Sequence, residues 1–180
     1  YDADLWQLRT PLTQYSRAGV PYGLDNGCFK RFKQKTWEKM LDEAREHQPK
    51  FVCMPDIVCD AVRTFDLFDA FEKKTEGLPR ALVLQDGIGQ HRINWEKLDA
   101  VFVGGSDNFK ISQEAFNTCR TAKMLGKWVH VGRVNTAPRV KNWLGLADSI
   151  DGSGISKYDH MLENVLEAIH GTSTQCEIDI

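Results

Sequence analysis

Residues 81–106, ALVLQDGIGQHRINWEKLDAVFVGGS, contain two short apolar runs, 81–84 and 100–103, and each breaks abruptly into polar or glycine residues: Gln85-Asp86-Gly87 after the first, Gly104-Gly105-Ser106 after the second. Unbroken apolar runs of this length suit strands of a parallel sheet covered on both faces. The same device recurs along the chain. Runs at 5–8, 21–24, 51–54, 128–131 and 149–150 read as strands, and most end in a similar way, at Asp25-Asn26-Gly27, Pro55-Asp56, Gly132-Arg133 and Asp151-Gly152.

Helix-like segments separate these runs. Trp37, Met40, Leu41 and Ala44 fall on one face after Thr36 as N-cap, and Val62, Phe65, Phe68 and Phe71 on another after Asp60. Ser112 is expected to open a third helix bearing Phe116, Cys119 and Met124, and Pro138 a fourth bearing Val140, Trp143 and Leu144. Ser156 is expected to cap the last, whose face carries Met161, Leu162, Val165, Leu166 and Ile169. These stripes read as core rather than cofactor contacts. Strand and helix alternate from end to end with no linker, so residues 1–180 are expected to form one α/β domain.

Seven strands with intervening helices fit either an open doubly wound sheet or a barrel. The first would place a GxGxxG fingerprint after its opening strand, and none is present. Polar and glycine residues at the end of nearly every strand instead match a (β/α) barrel, in which each strand delivers a site residue to one mouth. The expected fold is a compact, irregular, TIM-like (β/α) barrel of seven or eight mostly parallel strands. At 180 residues it is small for a barrel of about 250, so the barrel is expected to be either compact or short of a strand at the N-terminus.

Composition narrows the function. Lys and Arg total 23 against 25 Asp and Glu, which excludes a polybasic surface, so any polyanion contact is local. No apolar run of about 18 residues is present to span a bilayer, and Tyr1-Asp2-Ala3-Asp4 does not resemble a signal peptide. A cytoplasmic protein without membrane contact is expected. The cysteines at 28, 53, 59, 119 and 176 form no CxxC pair and have no histidine at finger spacing, so neither a metal nor another cofactor is expected. Cys53 and Cys119 read as buried thiols.

In a barrel, Asp25, Asp56, Asp86 and Asp151 converge on one mouth. Crowded carboxylates repel, and the repulsion divides them into a charged nucleophile or base and a neutral acid. Gly104 and Gly105 leave backbone accessible to a planar ligand, and Gln85 offers an amide suited to a base edge. Lys30, Arg31, Lys33 and Lys35, interleaved with Phe29 and Phe32, form the one dense basic stretch, placed where a phosphate backbone would pass. Arg133 is a second candidate phosphate clamp. His47, His91 and His170 read as surface residues, while His130 either points into the barrel or packs against a helix. Ser106 and Ser153 lack a nucleophile-elbow context, which argues against Ser/His/Asp catalysis.

Taken together, these residues resemble the tRNA-guanine transglycosylase superfamily, particularly its short phage and bacterial branch that inserts deazaguanines into DNA. The family motif Asp-Ser-Gly-Gly-Phe-Gln is similar to Asp25-Asn26-Gly27-Cys28-Phe29-Lys30. The strand ending in a base-reading Asp resembles residues 51–56, and the following Gln-Gly resembles Gln85-Asp86-Gly87. The paired glycines resemble Gly104-Gly105, and the segment leading to the nucleophile resembles Val131-Gly132 through Asp151-Gly152. The order is kept over residues 20–155.

The resemblance implies base exchange at a nucleotide. Asp151 would attack the sugar C1′, Asp25 would carry protons to and from the bases, and Asp56, Gln85, Asp86, Gly104, Gly105, Phe29 and Arg133 would line the substrate. The implied partners are nucleic acid, DNA rather than tRNA, and a free purine-like base, in the host cytoplasm if the chain is phage-encoded. The chemistry parallels a retaining glycosidase, and the nucleotide would enter flipped or single-stranded. The tRNA enzymes carry a cysteine-rich zinc site after the nucleophile; here only Cys176 follows Asp151, so that subdomain is absent from this sequence. Asn26 and Cys28 replace a serine and a glycine of the motif, which points to a base other than guanine. The residues alone also fit two other readings: a barrel enzyme that cradles a phosphorylated small metabolite at Gly104, Gly105, Ser106, Gly132 and Arg133, and a non-catalytic nucleic-acid-binding barrel.

Overall fold

The computed structural model describes residues 5–13 and 19–171. Seven parallel strands form one sheet in strict chain order: β1 (Gln7–Arg9), β2 (Tyr22–Leu24), β3 (Val52–Cys53), β4 (Arg80–Leu84), β5 (Ala100–Val103), β6 (Trp128–Val131) and β7 (Ser149–Ile150). Helices α1 (Gln34–Glu46), α2 (Ala61–Phe71), α3 (Gln113–Met124) and α4 (Ala137–Trp143) follow β2, β3, β5 and β6, and α5 (Asp159–His170) follows β7. Only short 3-10 turns, Ile88–Gln90 and Trp95–Lys97, join β4 to β5.

Because each strand pairs with the next in sequence, the helices all pack on one face of the sheet. Leu82, Leu84, Val101, Val103, Val129 and Val131 meet α2 through α5 there, and Leu24 and Val52 meet Trp37, Met40, Leu41 and Ala44 of α1. The alternate residues, Phe51, Cys53, Ala81, Val83 and Ala100, form a second apolar layer with Leu8, Phe102 and Trp128 on the other face. Both faces are therefore buried, which is why the strands show no apolar–polar alternation.

The second layer is concave. In a flat sheet β3 and β6 would lie about 14 Å apart, yet the ring beside β3, Phe51, sits 5.0 Å from the ring of His130 on β6. Trp6, next to β1, stacks on Trp128 of β6 with ring centroids 5.4 Å apart, and Lys50 lies over the same indole. Gly23 gives Phe51 its room, since a Cβ at that position would enter the ring. The fold is thus an α/β half-barrel whose sheet curls around its own side chains, compatible with a TIM-like arrangement. It is not the closed barrel expected from sequence: among the described residues β1 and β7 remain unpaired with each other, and no eighth strand bridges them.

Several local expectations shift. Helix α1 starts after Lys33, without a side-chain cap, rather than at Thr36. Helix α5 starts after Tyr158 rather than Ser156, because residues 152–158 are held in turns by bonds from Ser156 N to Gly152 O and from Lys157 and Tyr158 N to Gly154 O. Val62 and Met124 face solvent, 54% and 88% exposed; the buried positions of α2 are Ala61, Thr64 and Phe68, and those of α3 are Ala115, Cys119 and Ala122. Asp60 and Ser112 do cap α2 and α3, accepting from the amides of Arg63 and Ala115. Cys53 and Cys119 are buried, as the sequence suggests, and Cys176 lies outside the described residues.

Candidate active site

Parallel strands bring all their C-terminal ends to one rim, and Asp25, Asp56, Gln85, Asp86, Gly104, Gly105, Arg133 and Asp151 all lie there. Asp25 directly follows β2. Burial, and then the negative charges of Asp151 and Asp56, push its carboxyl up to about 7; the amide of Asn26, 2.9 Å from Oδ1, opposes the shift. Asp25 and Asp151 therefore act on each other electrostatically although they come from nearly opposite edges of the sheet.

Asp151 directly follows β7 and is well supplied with donors. Its Oδ2 lies 3.0 Å from His130 Nε2, and its Oδ1 accepts from the amide of Arg133 at 3.3 Å. His130 points into the concave layer rather than toward a helix. Its ring packs on Phe51 and Phe102, and Nδ1 lies 2.8 Å from the hydroxyl of Ser149. Arg133 holds a left-handed backbone conformation, φ 61°, a strain of about 1–3 kcal/mol of the kind that collects at functional sites. Its guanidinium donates to Gly105 O at 2.9 Å and lies 4.7 Å above the ring of Phe29, which is 62% exposed. This contact joins the loop after β2 to the loop after β6.

Asp56 and Gln85 are turned inward. Asp56 Oδ1 accepts from Asn26 Nδ2 at 2.8 Å and Oδ2 from Gln85 Nε2 at 2.6 Å, while Gln85 Oε1 accepts from the amide of Cys59. Asn26 and Gln85 are each only 1% exposed, so this chain of amides and carboxylate ties the loops after β2, β3 and β4 together beneath the rim. Burial raises the Asp56 carboxyl, against the bonds from Asn26, Cys28 and Gln85.

The glycine pair is likewise filled from within. A Cβ at Gly104 would meet Gln85 Nε2 and Val83 Cγ1 at 2.8 Å, and one at Gly105, whose φ is +69°, would meet Phe109 at 2.6 Å and Asp86 Oδ2 at 2.8 Å. Asp86 accepts from the amide and hydroxyl of Ser106, at 2.9 and 2.6 Å; burial works against its charge, but these bonds prevail and hold the carboxyl below its usual value. Asp86 thus takes up the Ser106 amide and hydroxyl, two of the donors that a phosphate bound after β5 would use.

Lys30, Arg31, Lys33 and Lys35 are all exposed. The aromatics between them divide: Phe29 stays at the rim, while Phe32 turns into the core against Trp37 and Phe71. His47, His91 and His170 are exposed, in line with the sequence reading.

Sequence reasoning passed over Lys110. It is buried, and its Nζ donates to the carbonyls of Val103 and Gly132, capping the ends of β5 and β6. Burial and then Arg133 pull its ammonium down to about 8, with Asp151 acting in the opposite direction. Its partners are main-chain carbonyls, which carry no sequence signal. Among the described residues no group of three or more His, Cys, Asp or Glu could hold a metal ion. A groove of about 700 Å³ runs between α4 and α5, lined by Thr136, Lys141, His160 and Glu167 among others, and none of the strand-end carboxylates lines it.

Neither the known family models nor the curated proteins contain a match to this chain.

Proposed function

We propose that the protein is a nucleobase transglycosylase, or a glycosylase of the same architecture, that acts on a nucleotide of nucleic acid, DNA in preference to tRNA. What carries this reading is an Asp25 pushed up to about 7 by burial and by Asp151, together with an Asp151 that accepts from the Arg133 amide and lies 3.0 Å from His130 Nε2. An anion beside a neutral acid is what displacement at a sugar carbon requires. An Asp151 carboxylate oxygen bonds to C1′ as the C1′–N bond breaks, its electron pair leaves with the base, and the Asp25 proton passes to that base. The incoming base, or water, then gives its proton to Asp25 and bonds to C1′, and the C1′–O bond to Asp151 breaks.

The half-barrel is compatible with the TIM-like fold of the tRNA-guanine transglycosylase superfamily, and the order of motifs along the strand ends supports its short, deazaguanine-inserting phage branch. In this reading Phe29 and Arg133 meet an entering base, and Lys30, Arg31, Lys33 and Lys35 meet the phosphates outside. Asp56, Gln85, Gly104 and Gly105 support the rim from beneath, and Asp86 holds the Ser106 amide and hydroxyl after β5.

The test uses single-stranded and duplex oligonucleotides carrying guanine or 7-deazaguanine, with mass spectrometry for released base and for a sugar–protein adduct. Wild type is expected to release base and form the adduct, and Asp151→Asn to do neither while melting as wild type does. Turnover by Asp151→Asn would overturn the covalent mechanism.

A further inference from the structure

Ser149, His130 and Asp151 are set by strand register rather than by loops. His130 pairs with Ser149 across the β6–β7 ladder, Trp128 lies two residues before His130 and Asp151 two residues after Ser149. Residues two apart share a face of a strand, so the four polar groups line up on the concave side. The direction of the hydrogen bonds follows from their chemistry. An indole N–H can only donate, and Trp128 Nε1 lies 2.9 Å from Ser149 Oγ, so the hydroxyl accepts there. An ionised Asp151 can only accept, so the Nε2 that lies 3.0 Å from its Oδ2 carries the proton of the neutral ring. Nδ1 is then bare, and the Ser149 hydroxyl, 2.8 Å away, donates to it. The ring cannot turn away, because Phe51 and Phe102 pack on it with centroids 5.0 and 4.6 Å distant.

We infer that Trp128, Ser149 and His130 form a positioning relay that locks the Asp151 carboxylate through Oδ2 and leaves Oδ1, which among the described residues has only the longer bond from Arg133 N, as the attacking oxygen. The inference rests on the reading of Asp151 as nucleophile. His130 touches no substrate in this scheme; it fixes the rotamer and the donor that the nucleophile meets. A relay of this kind explains why a histidine and a serine hydroxyl stand in an otherwise apolar layer.

One test does not depend on turnover. In the ¹⁵N-histidine-labelled protein at pH 8, long-range ¹H–¹⁵N spectra, with His130 assigned by its absence in His130→Phe, are expected to show Nε2 protonated and Nδ1 bare. A protonated Nδ1 on a neutral ring would overturn the relay whether or not the protein acts on nucleic acid. The second test follows adduct formation with the guanine and 7-deazaguanine oligonucleotides. Misplacement of a reacting group costs roughly 100-fold, so His130→Phe, which keeps an aromatic ring in the stack, is expected to slow the adduct by about that factor without weakening oligonucleotide binding. His130→Gln, which restores an N–H toward Oδ2, is expected to recover a substantial part of the rate. An unchanged rate in His130→Phe, or equal losses in the Phe and Gln variants, would overturn the relay while Asp151→Asn still tests the nucleophile. If His130→Phe does not fold, Ser149→Ala keeps all the rings; a slower adduct with unchanged binding supports the relay, and an unchanged rate refutes it.

Discussion

Asp25 makes the chemistry and the stability of the protein pull in opposite directions. An unfolded aspartate releases its proton near pH 4, whereas in the fold burial and the Asp151 charge keep the proton on until about 7. The folded state therefore binds the extra proton between those values, and stability falls as pH rises through that window and is flat above it. Ionising Asp25 inside the fold costs about 4 kcal/mol more than in the unfolded chain. Asp25→Asn retains an oxygen for the Asn26 amide and cannot ionise. It is expected to match wild type near pH 4 and to be more stable by about 2–4 kcal/mol at pH 8, read from urea midpoints across that range, while losing base release. A variant no more stable than wild type at pH 8 would mean that the carboxyl is not held protonated by its surroundings.

Among the elements, the strands were the most legible in sequence. The apolar runs at 100–103, 128–131 and 149–150 coincide with β5, β6 and β7 end to end, and the other four differ by a residue or two. Helix starts were less so: Thr36 has the chemistry of a cap, but Phe32 packs on Trp37 and Phe71 and draws the first turn of α1 back to Gln34. The positions of Asp25 and Asp151 were legible because they follow strands. The direction of His130 was not, since a strand buried on both faces offers no alternation to separate inside from outside; only its register with Ser149 settles it. The same packing makes the stretch that leads into the first turn of α1 testable. Phe32 anchors it, so its four cations can be removed without disturbing the core. Replacing Lys30, Arg31, Lys33 and Lys35 with Gln is expected to change stability by no more than about 0.5 kcal/mol per site. Each phosphate contact contributes about 0.7 to the salt dependence of single-strand binding, so the slope of log Kd against log salt should fall by up to about 3, measured by fluorescence anisotropy. An unchanged slope would place the polynucleotide elsewhere.

At the scale of the molecule, the curl of the sheet makes one site out of distant segments. Asp25 leaves β2 and Asp151 leaves β7, five strand spacings apart, or about 24 Å if the sheet were flat. At that distance in water at physiological salt their charges would be screened from each other. The rings of Phe51, Phe102 and His130, and the stack of Trp6 on Trp128, draw the two sides of the sheet inward, and Asp151 becomes the second largest cause, after burial, of the rise at Asp25. Removing the Asp151 charge should therefore lower the Asp25 titration midpoint from about 7, but not to the value of a free aspartate, because burial and Asp56 remain. Carboxyl ¹³C titration of Asp151→Asn against wild type, with Asp25 assigned by its loss in Asp25→Asn, reads this directly. A midpoint that does not move would mean that the two edges of the sheet are too far apart to share a substrate.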